Sequence, residues 1–144
     1  MPCASEEVFD LLHDYSRRLE WDTLLQEARL TQGHLTAGKG ATSLCVGKPA
    51  LGSIGVETRY LTFVRGEIAA VQMINHPPFF ESFAASIRHE DCEGGSMATY
   101  KLKFTAKPAF LRWLLHPVMK VVLRYETRKR LKALAAFLSK SVAA

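Results

Sequence analysis

Apolar residues fall at helical spacing near both ends of the chain and at alternate positions through its middle. At the start, Val8, Leu11 and Leu12 follow Ser5-Glu6-Glu7. A serine followed by two acids reads as an N-cap with a first turn that offsets the positive helix end. A short helix is therefore expected from Ser5 to about His13. Asp14 or Ser16 is placed to cap a second short helix through Arg18 and Trp21. Two brief helices bury little by themselves, so they must close over something else.

From Glu27 the period shortens. Residues 27–31 and 41–46 read as strands on either side of a turn region at 33–40. In 56–64, Val56, Thr58, Tyr60, Thr62 and Val64 share one face, and Glu57, Arg59, Leu61 and Phe63 the other. Arg65-Gly66-Glu67 makes a compact turn into a strand at 68–74, which Asn75-His76-Pro77-Pro78 ends because proline cannot donate to a ladder. Strands at 82–90 and 97–105 follow, joined by Asp91-Cys92-Glu93-Gly94-Gly95-Ser96. In the last strand Ala98, Tyr100, Leu102 and Phe104 oppose Thr99, Lys101 and Lys103. Six consecutive strands with short turns imply an antiparallel meander with one apolar face to cover.

The cover is the tail. Residues 109 to about 139 have helical composition, interrupted by Pro117, which pushes His116 out of the α region and suits the first turn of a new helix. A short helix over 110–115 is thus expected before a long one. Val118, Val121, Val122 and Tyr125 form one stripe, and Leu131, Leu134 and Leu138 a second. Six residues separate Tyr125 from Leu131, about 240° around the axis. One flat contact cannot bury both stripes, so the helix is expected to be embraced by the sheet and by the N-terminal helices or a partner.

At 144 residues, 48% hydrophobic and 23% charged, the composition is that of one globular domain spanning 1–144. No run of about 18 uninterrupted apolar residues occurs, and the first residues lack the basic and apolar regions of a secretory signal. Cys3, Cys45 and Cys92 are widely spaced, without a C-x-x-C pair. They argue against a disulfide framework and for a reducing, cytoplasmic setting. The net charge of +5 is unevenly placed: from residue 109 onward eight Lys or Arg face the single acid Glu126, whereas the preceding residues hold eleven bases and thirteen acids.

Ala4-Ser5-Glu6-Glu7-Val8-Phe9-Asp10-Leu11-Leu12, Asp14-Tyr15 and Trp21-Asp22 resemble the opening helices of the START-like (SRPBCC) superfamily, which includes polyketide cyclases, lipid-transfer proteins and Bet v 1-like pollen allergens. Gly94-Gly95-Ser96-Met97-Ala98-Thr99-Tyr100 resembles that family's glycine turn into its final strand, and Leu131-Lys132-Ala133-Leu134 the end of its closing helix. The resemblance implies an α+β helix-grip fold, with a curved antiparallel sheet wrapped around a long C-terminal helix and two short N-terminal helices. It also implies an internal cavity for a hydrophobic small molecule, lipid-like or polyketide-like. One departure stands out: family members begin with a strand, and here only residues 1–4 precede Ser5. A strand missing there would leave a sheet edge open to pairing or a homodimer.

Pockets of this kind are largely apolar, with a few polar groups that orient the ligand. Alternation places Tyr60, Phe83, Ile87, Tyr100 and Phe104 toward the helix, with Val118, Val122 and Tyr125 opposite and Trp21 at the pocket mouth. The same residues would also serve as plain core. Trp113 could line an entrance or touch a membrane surface, but structural packing is the role expected of it. For an enzyme of the cyclase or dehydratase type, Tyr100, Tyr125 or His89 would move a proton. His76 and His89 have neither a sequence-adjacent nucleophile nor an orienting carboxylate, so surface or structural roles suit them better. The five histidines show no metal-ligand spacing, and no cofactor is implied. Gly33-His34-Leu35-Thr36-Ala37-Gly38-Lys39-Gly40 imitates a phosphate-binding loop but lacks the Ser or Thr after the lysine and the helix that should follow. Arg128-Lys129-Arg130, with Arg124 and Lys132, wraps around the helix and reads as a solvated face. The rival reading is an interaction module, in which this surface meets an anionic membrane or a protein. No aromatic platform accompanies it, which argues against nucleic acid.

Overall fold

The computed structural model describes residues 1–143, with side chains to Ser141. The chain runs α1 (Ser5–Leu12), α2 (Arg18–Trp21), β1 (Leu25–Thr31), β2 (Thr42–Gly47), β3 (Gly55–Val64), β4 (Ile68–Met73), β5 (Phe80–Cys92), β6 (Gly95–Ala106) and α3 (Arg112–Ala143). The six strands form one curved antiparallel sheet in sequential order, as the alternation predicts.

A bulge in β3 alters the two faces that simple alternation assigns to it. Tyr60 pairs with Val71 and Thr62 with Ala70, so Leu61 has no opposite number. An extra residue flips the alternation. Tyr60 and Phe63 therefore both point inward, their rings 5.3 Å apart, and Leu61 is exposed.

Three expectations at the ends of the chain need correction. Ser5 begins α1 instead of capping it: Ala4 holds the cap position, and the Asp91 carboxylate at the end of β5 accepts the Ser5 N–H at 2.8 Å. Neither Asp14 nor Ser16 caps α2, which starts from Arg17; Asp14 instead accepts the Ser16 N–H at 3.1 Å in a local turn. The sheet edge at the start of β6 is partly covered. The Met1 carbonyl accepts the Ser96 N–H at 3.0 Å, and the Met1 ammonium donates to the Ser96 carbonyl at 2.9 Å. A Cβ on Gly95 would collide with the Met1 carbonyl, so this close approach requires glycine.

The closing helix also departs from expectation. No separate helix forms over 110–115. A 3₁₀ turn at Ala109–Leu111 leads into α3, which continues through Pro117. Proline is the sixth residue of α3, so it withdraws one hydrogen bond, to the carbonyl of Trp113, near an end where such bonds are incomplete anyway. As expected, α3 packs on both the sheet and the N-terminal helices, but the first of its two stripes is buried by neither. Leu134 and Leu138 are buried with Val8, Phe9 and Leu12 of α1, but Val118, Val121, Val122 and Tyr125 are exposed. Running back from Leu138 and Leu134 at helical spacing, the inward residues are Arg130, Glu126, Leu123 and Met119. The apolar stripe does not jump around the helix. It is interrupted by two charges.

Candidate ligand-binding cavity

Between the inner face of the sheet and the N-terminal half of α3 lies a cavity of about 360 Å³. That is near the lower end of the usual range for small-molecule sites, about 300–1,000 Å³. Its walls are mostly apolar, with Val56, Val71, Ala85 and Ile87 from the sheet and Met119 and Leu123 from the helix. Phe79, Val118 and Val122 line it and are also exposed, which marks its mouth. The floor, beneath α2 and the middle of α3, is polar.

One part of the floor is a chain of hydroxyls. His13 Nδ1 lies 2.7 Å from Tyr60 Oη, Tyr60 Oη 2.8 Å from Tyr15 Oη, Tyr15 Oη 3.1 Å from Ser43 Oγ, and Ser43 Oγ 3.2 Å from Thr58 Oγ1. With Tyr15 donating to Ser43, a consistent assignment runs from His13 N–H through Tyr60, Tyr15 and Ser43 to Thr58. It leaves the buried His13 Nε2 as an unpaired acceptor, which costs less than a buried N–H without a partner. All five residues line the cavity, and the His13 ring also packs on those of Phe9 and Phe63, at 4.5 and 5.4 Å. Burial, with help from the Arg18 charge, pushes the His13 pKa well below its ordinary value, so the ring is neutral. Burial, with Tyr15 beside it, pushes the Tyr60 phenol well above its ordinary value. Both groups are proton-bearing hydrogen-bond partners at neutral pH.

The other part is charged. Asp22, just after α2, has a side chain with no exposed surface; Arg18 and Arg130 are 7% and 11% exposed. Arg18 Nε donates to Asp22 Oδ2 at 2.8 Å and its Nη1 to the Leu12 carbonyl at 3.0 Å. Arg130 holds the same carboxylate with Nη2 at 2.8 Å and Nε at 3.1 Å. The Leu24 N–H also donates to Asp22 Oδ1, at 3.0 Å. Burial opposes the Asp22 charge, but the two guanidinium groups outweigh it and hold its pKa below the usual carboxylate range. Aromatic faces complete the setting. The Arg18 guanidinium lies over Tyr15 and Trp21 at 5.6 and 5.3 Å, and that of Arg130 over Tyr100 at 5.8 Å.

Of the residues expected at the site, Tyr60, Phe83, Ile87, Tyr100, Val118 and Val122 line the cavity. Three do not. Trp21 is buried behind Arg18, and Phe104 packs on the His116 ring at 5.0 Å. Tyr125 is 64% exposed, one position off the inward stripe. Trp113 is exposed and does not take the packing role expected of it. His89 is buried under Phe9, its ring centroid 5.5 Å away, and His76 lies on the surface; neither reaches the cavity. Arg130 leaves the solvated run in which the sequence placed it, while Arg128 and Lys129 remain exposed. Sequence reasoning missed His13, Tyr15, Arg18, Ser43, Asp22 and Arg130. The i,i+4 spacing of Arg18 and Asp22 was a usable signal for a pair on one helix face. Nothing local pointed Arg130 at them across 108 positions.

Among the described residues no helix is long and apolar enough to cross a membrane. A family model described as polyketide cyclase / dehydrase and lipid transport matches residues 1–138. No functionally curated protein matches the sequence. Among solved structures, the di-domain aromatase/cyclase StfQ of the steffimycin biosynthetic pathway superposes with a TM-score of 0.79 at 12% identity, over 99% of this chain and 50% of its own. This chain thus spans half of StfQ. The Zhui aromatase/cyclase of a Streptomyces species gives 0.78 at 11% identity, over 98% and 90% of the two chains. Ara h 8.0201 gives 0.69 at 12% identity, over 96% and 92%. At these identities the likeness is one of fold.

Proposed function

Because this chain belongs to the polyketide cyclase/dehydrase and lipid transport family, we propose that it binds or carries a hydrophobic small molecule, lipid-like or polyketide-like, between the sheet and α3. The observation that carries this reading is the cavity itself. It is walled by apolar side chains, open where Phe79, Val118 and Val122 meet solvent, and left unfilled by the helix that covers it. Burial of an apolar ligand there is favourable at about 25 cal/mol per Å² of surface removed from water. Ala85 is buried on the wall, so Ala85→Trp should fill the space. Native mass spectrometry should find a small molecule retained by the wild type and absent from a folded Ala85→Trp variant. Consistently empty wild-type protein, with no uptake of an environment-sensitive aromatic dye, would count against the reading.

The hydroxyl chain favours a second reading, a cyclase or dehydratase acting on a polyketide-like chain. Tyr60 would turn its hydroxyl to donate a hydrogen bond to a developing oxyanion, while the neutral His13 N–H donates to Tyr60 from behind. Turnover of such a chain should then disappear in Tyr60→Phe while dye affinity persists; unchanged turnover would remove Tyr60 from the chemistry.

The surroundings of the mouth favour loading from an anionic membrane surface. Phe110, Trp113, Leu114 and Val121 stand exposed at the start of α3 and just before it, accompanied by exposed Lys120 and Arg124. Such a surface suits interfacial contact with acidic lipid. Sedimentation with phosphatidylserine vesicles, but not with neutral ones, is expected, and Trp113→Ser with Arg124→Glu should abolish it. Equal recovery on both vesicle types would refute the charge argument.

A further inference from the structure

At the floor of the cavity two guanidinium groups share the one carboxylate in contact with them. Arg18 and Arg130 are both buried, and both pair with Asp22 alone. That carboxylate is saturated. Oδ2 accepts from Arg18 Nε and Arg130 Nη2, and Oδ1 from Arg130 Nε and the Leu24 N–H, which uses the roughly four lone-pair sites a carboxylate offers. Arg18 Nη2 and Arg130 Nη1 have no protein acceptor among the described residues. Glu126 also lines the cavity, one turn before Arg130, but lies half-buried and within ion-pair distance of neither arginine. Around the two guanidinium groups stand the faces of Tyr15, Trp21 and Tyr100, which stabilise a cation without neutralising it. A buried cation that shares its counter-charge with a second is costly, and the remaining nitrogens, Arg18 Nη2 and Arg130 Nη1, keep solvent access, so their donors are free to meet a ligand. Both arginines line the space, so a ligand can meet both needs at once.

We infer that the ligand is an amphiphilic anion: an aromatic or alkyl body with one carboxylate-like end, bound acid end first against Arg18 and Arg130. The inference rests on the cavity being a binding site and narrows what it accepts. The apolar walls hold the body, and the tail points toward Phe79, Val118 and Val122. One free nitrogen from each guanidinium, Arg18 Nη2 and Arg130 Nη1, suits one oxygen each of a planar, two-oxygen anion. A neutral alcohol of the same shape would fill the walls equally and leave the floor unpaired. Removing either arginine leaves a one-to-one pair with Asp22, so the excess charge is dispensable for the fold.

The test compares naphthylhexanoic acid with naphthylhexanol, titrated by fluorescence at neutral pH against the wild type, Arg130→Met and Arg18→Met. Circular dichroism verifies that the variants fold. The acid should bind the wild type about tenfold tighter or more, as one charge-assisted hydrogen bond allows. Either variant should lose that preference by weakening the acid while keeping the alcohol. Equal affinity of acid and alcohol for the wild type would overturn the anion inference and leave the cavity reading standing. Failure of both probes to bind would overturn both. A folded variant that still prefers the acid would also overturn the assignment to these arginines.

Discussion

Asp22→Asn is the substitution most exposing of the physics of this fold. The wild-type carboxylate, without exposed surface, separates two buried guanidinium groups and accepts four hydrogen bonds. The amide keeps the shape but removes the charge and turns an NH₂ toward an arginine. Two cations then face each other in the interior with nothing between them. Breaking a buried ion pair by removing one partner costs about 3–5 kcal/mol. Against a typical total of about 5–15 kcal/mol, that is a large share. For a chain of this size it corresponds to a fall in Tm of about 10–15 °C. The contrast is the surface pair of Arg65 with Asp10, bidentate at 2.9 and 2.7 Å but about half exposed, where Asp10→Asn should cost at most about 1 kcal/mol. Urea unfolding of both variants and the double variant Asp22→Asn, Arg130→Met measures the difference, and the double variant should recover much of the loss by removing one orphaned cation.

The pH dependence of the same variant adds a sign. Burial resists the Asp22 charge, but the arginines hold its folded pKa below the ordinary value. A depressed carboxylate contributes stability that is complete above the unfolded pKa of about 3.9 and lost as pH falls through the folded value. The gap between wild type and Asp22→Asn should therefore be full at neutral pH and shrink below about pH 4. A gap under about 1 kcal/mol at neutral pH, or one that widens in acid, would falsify the account of Asp22 as an essential counter-charge.

Other substitutions probe the rest of the frame. Leu134 has no exposed surface and Val121 is 68% exposed, so Leu134→Ala should cost about 2–5 kcal/mol in urea unfolding and Val121→Ala within about 0.5. His13 is buried neutral with its pKa lowered chiefly by burial. Its contribution is complete above about pH 6.5 and declines as pH falls, so acid titration of stability should bend near there in the wild type and not in His13→Gln. At Gly66, φ is +77° and an added Cβ would sit 2.7 Å from Glu6 Cγ, whereas Gly94 has φ +81° and open space. Gly94→Ala should cost about 1–2 kcal/mol from the backbone alone, and Gly66→Ala more; equal losses would show that α1 yields freely.

The strands were legible because alternation is local, and the meander followed from short turns between them. The order of elements, two short helices, a strand meander and a long closing helix, likewise resembles the helix-grip fold. What failed were positions decided by a single distant group or a single extra residue. Ser5 looked like a cap until Asp91 took the role from β5. Phe63 sat on the wrong face until the bulge at Leu61 moved it. Tyr125 and Phe104 were assigned to the cavity by period alone, which cannot see that α3 turns one residue further or that His116 occupies the space beside Phe104. The charged floor was hidden for a different reason. Arg130 sits between Lys129 and Leu131 in a run of basic residues, and only the place of Asp22 in space distinguishes it from its neighbours.

Those two inward charges also divide α3 into halves with different tasks. Beyond Arg130, Leu134 and Leu138 are sealed against α1 and contribute burial that the cavity cannot disturb. Before Glu126, the helix covers a void, and its flanking residues Val118, Val121 and Val122 face water. Few buried contacts hold that half, so its local opening free energy is lower than that of the sealed end. An arriving ligand needs such a segment, because the cavity can admit a bulky body only where the cover yields. The Arg130–Asp22 contact stands at the boundary and pins the helix to α2 on its sealed side. Hydrogen exchange should therefore be fast from 112 to about 125 and slow from 130 to 138, and a bound ligand should slow the first span more than the second. Uniform protection along α3 would mean that the cover does not open and that the ligand reaches the floor by another path.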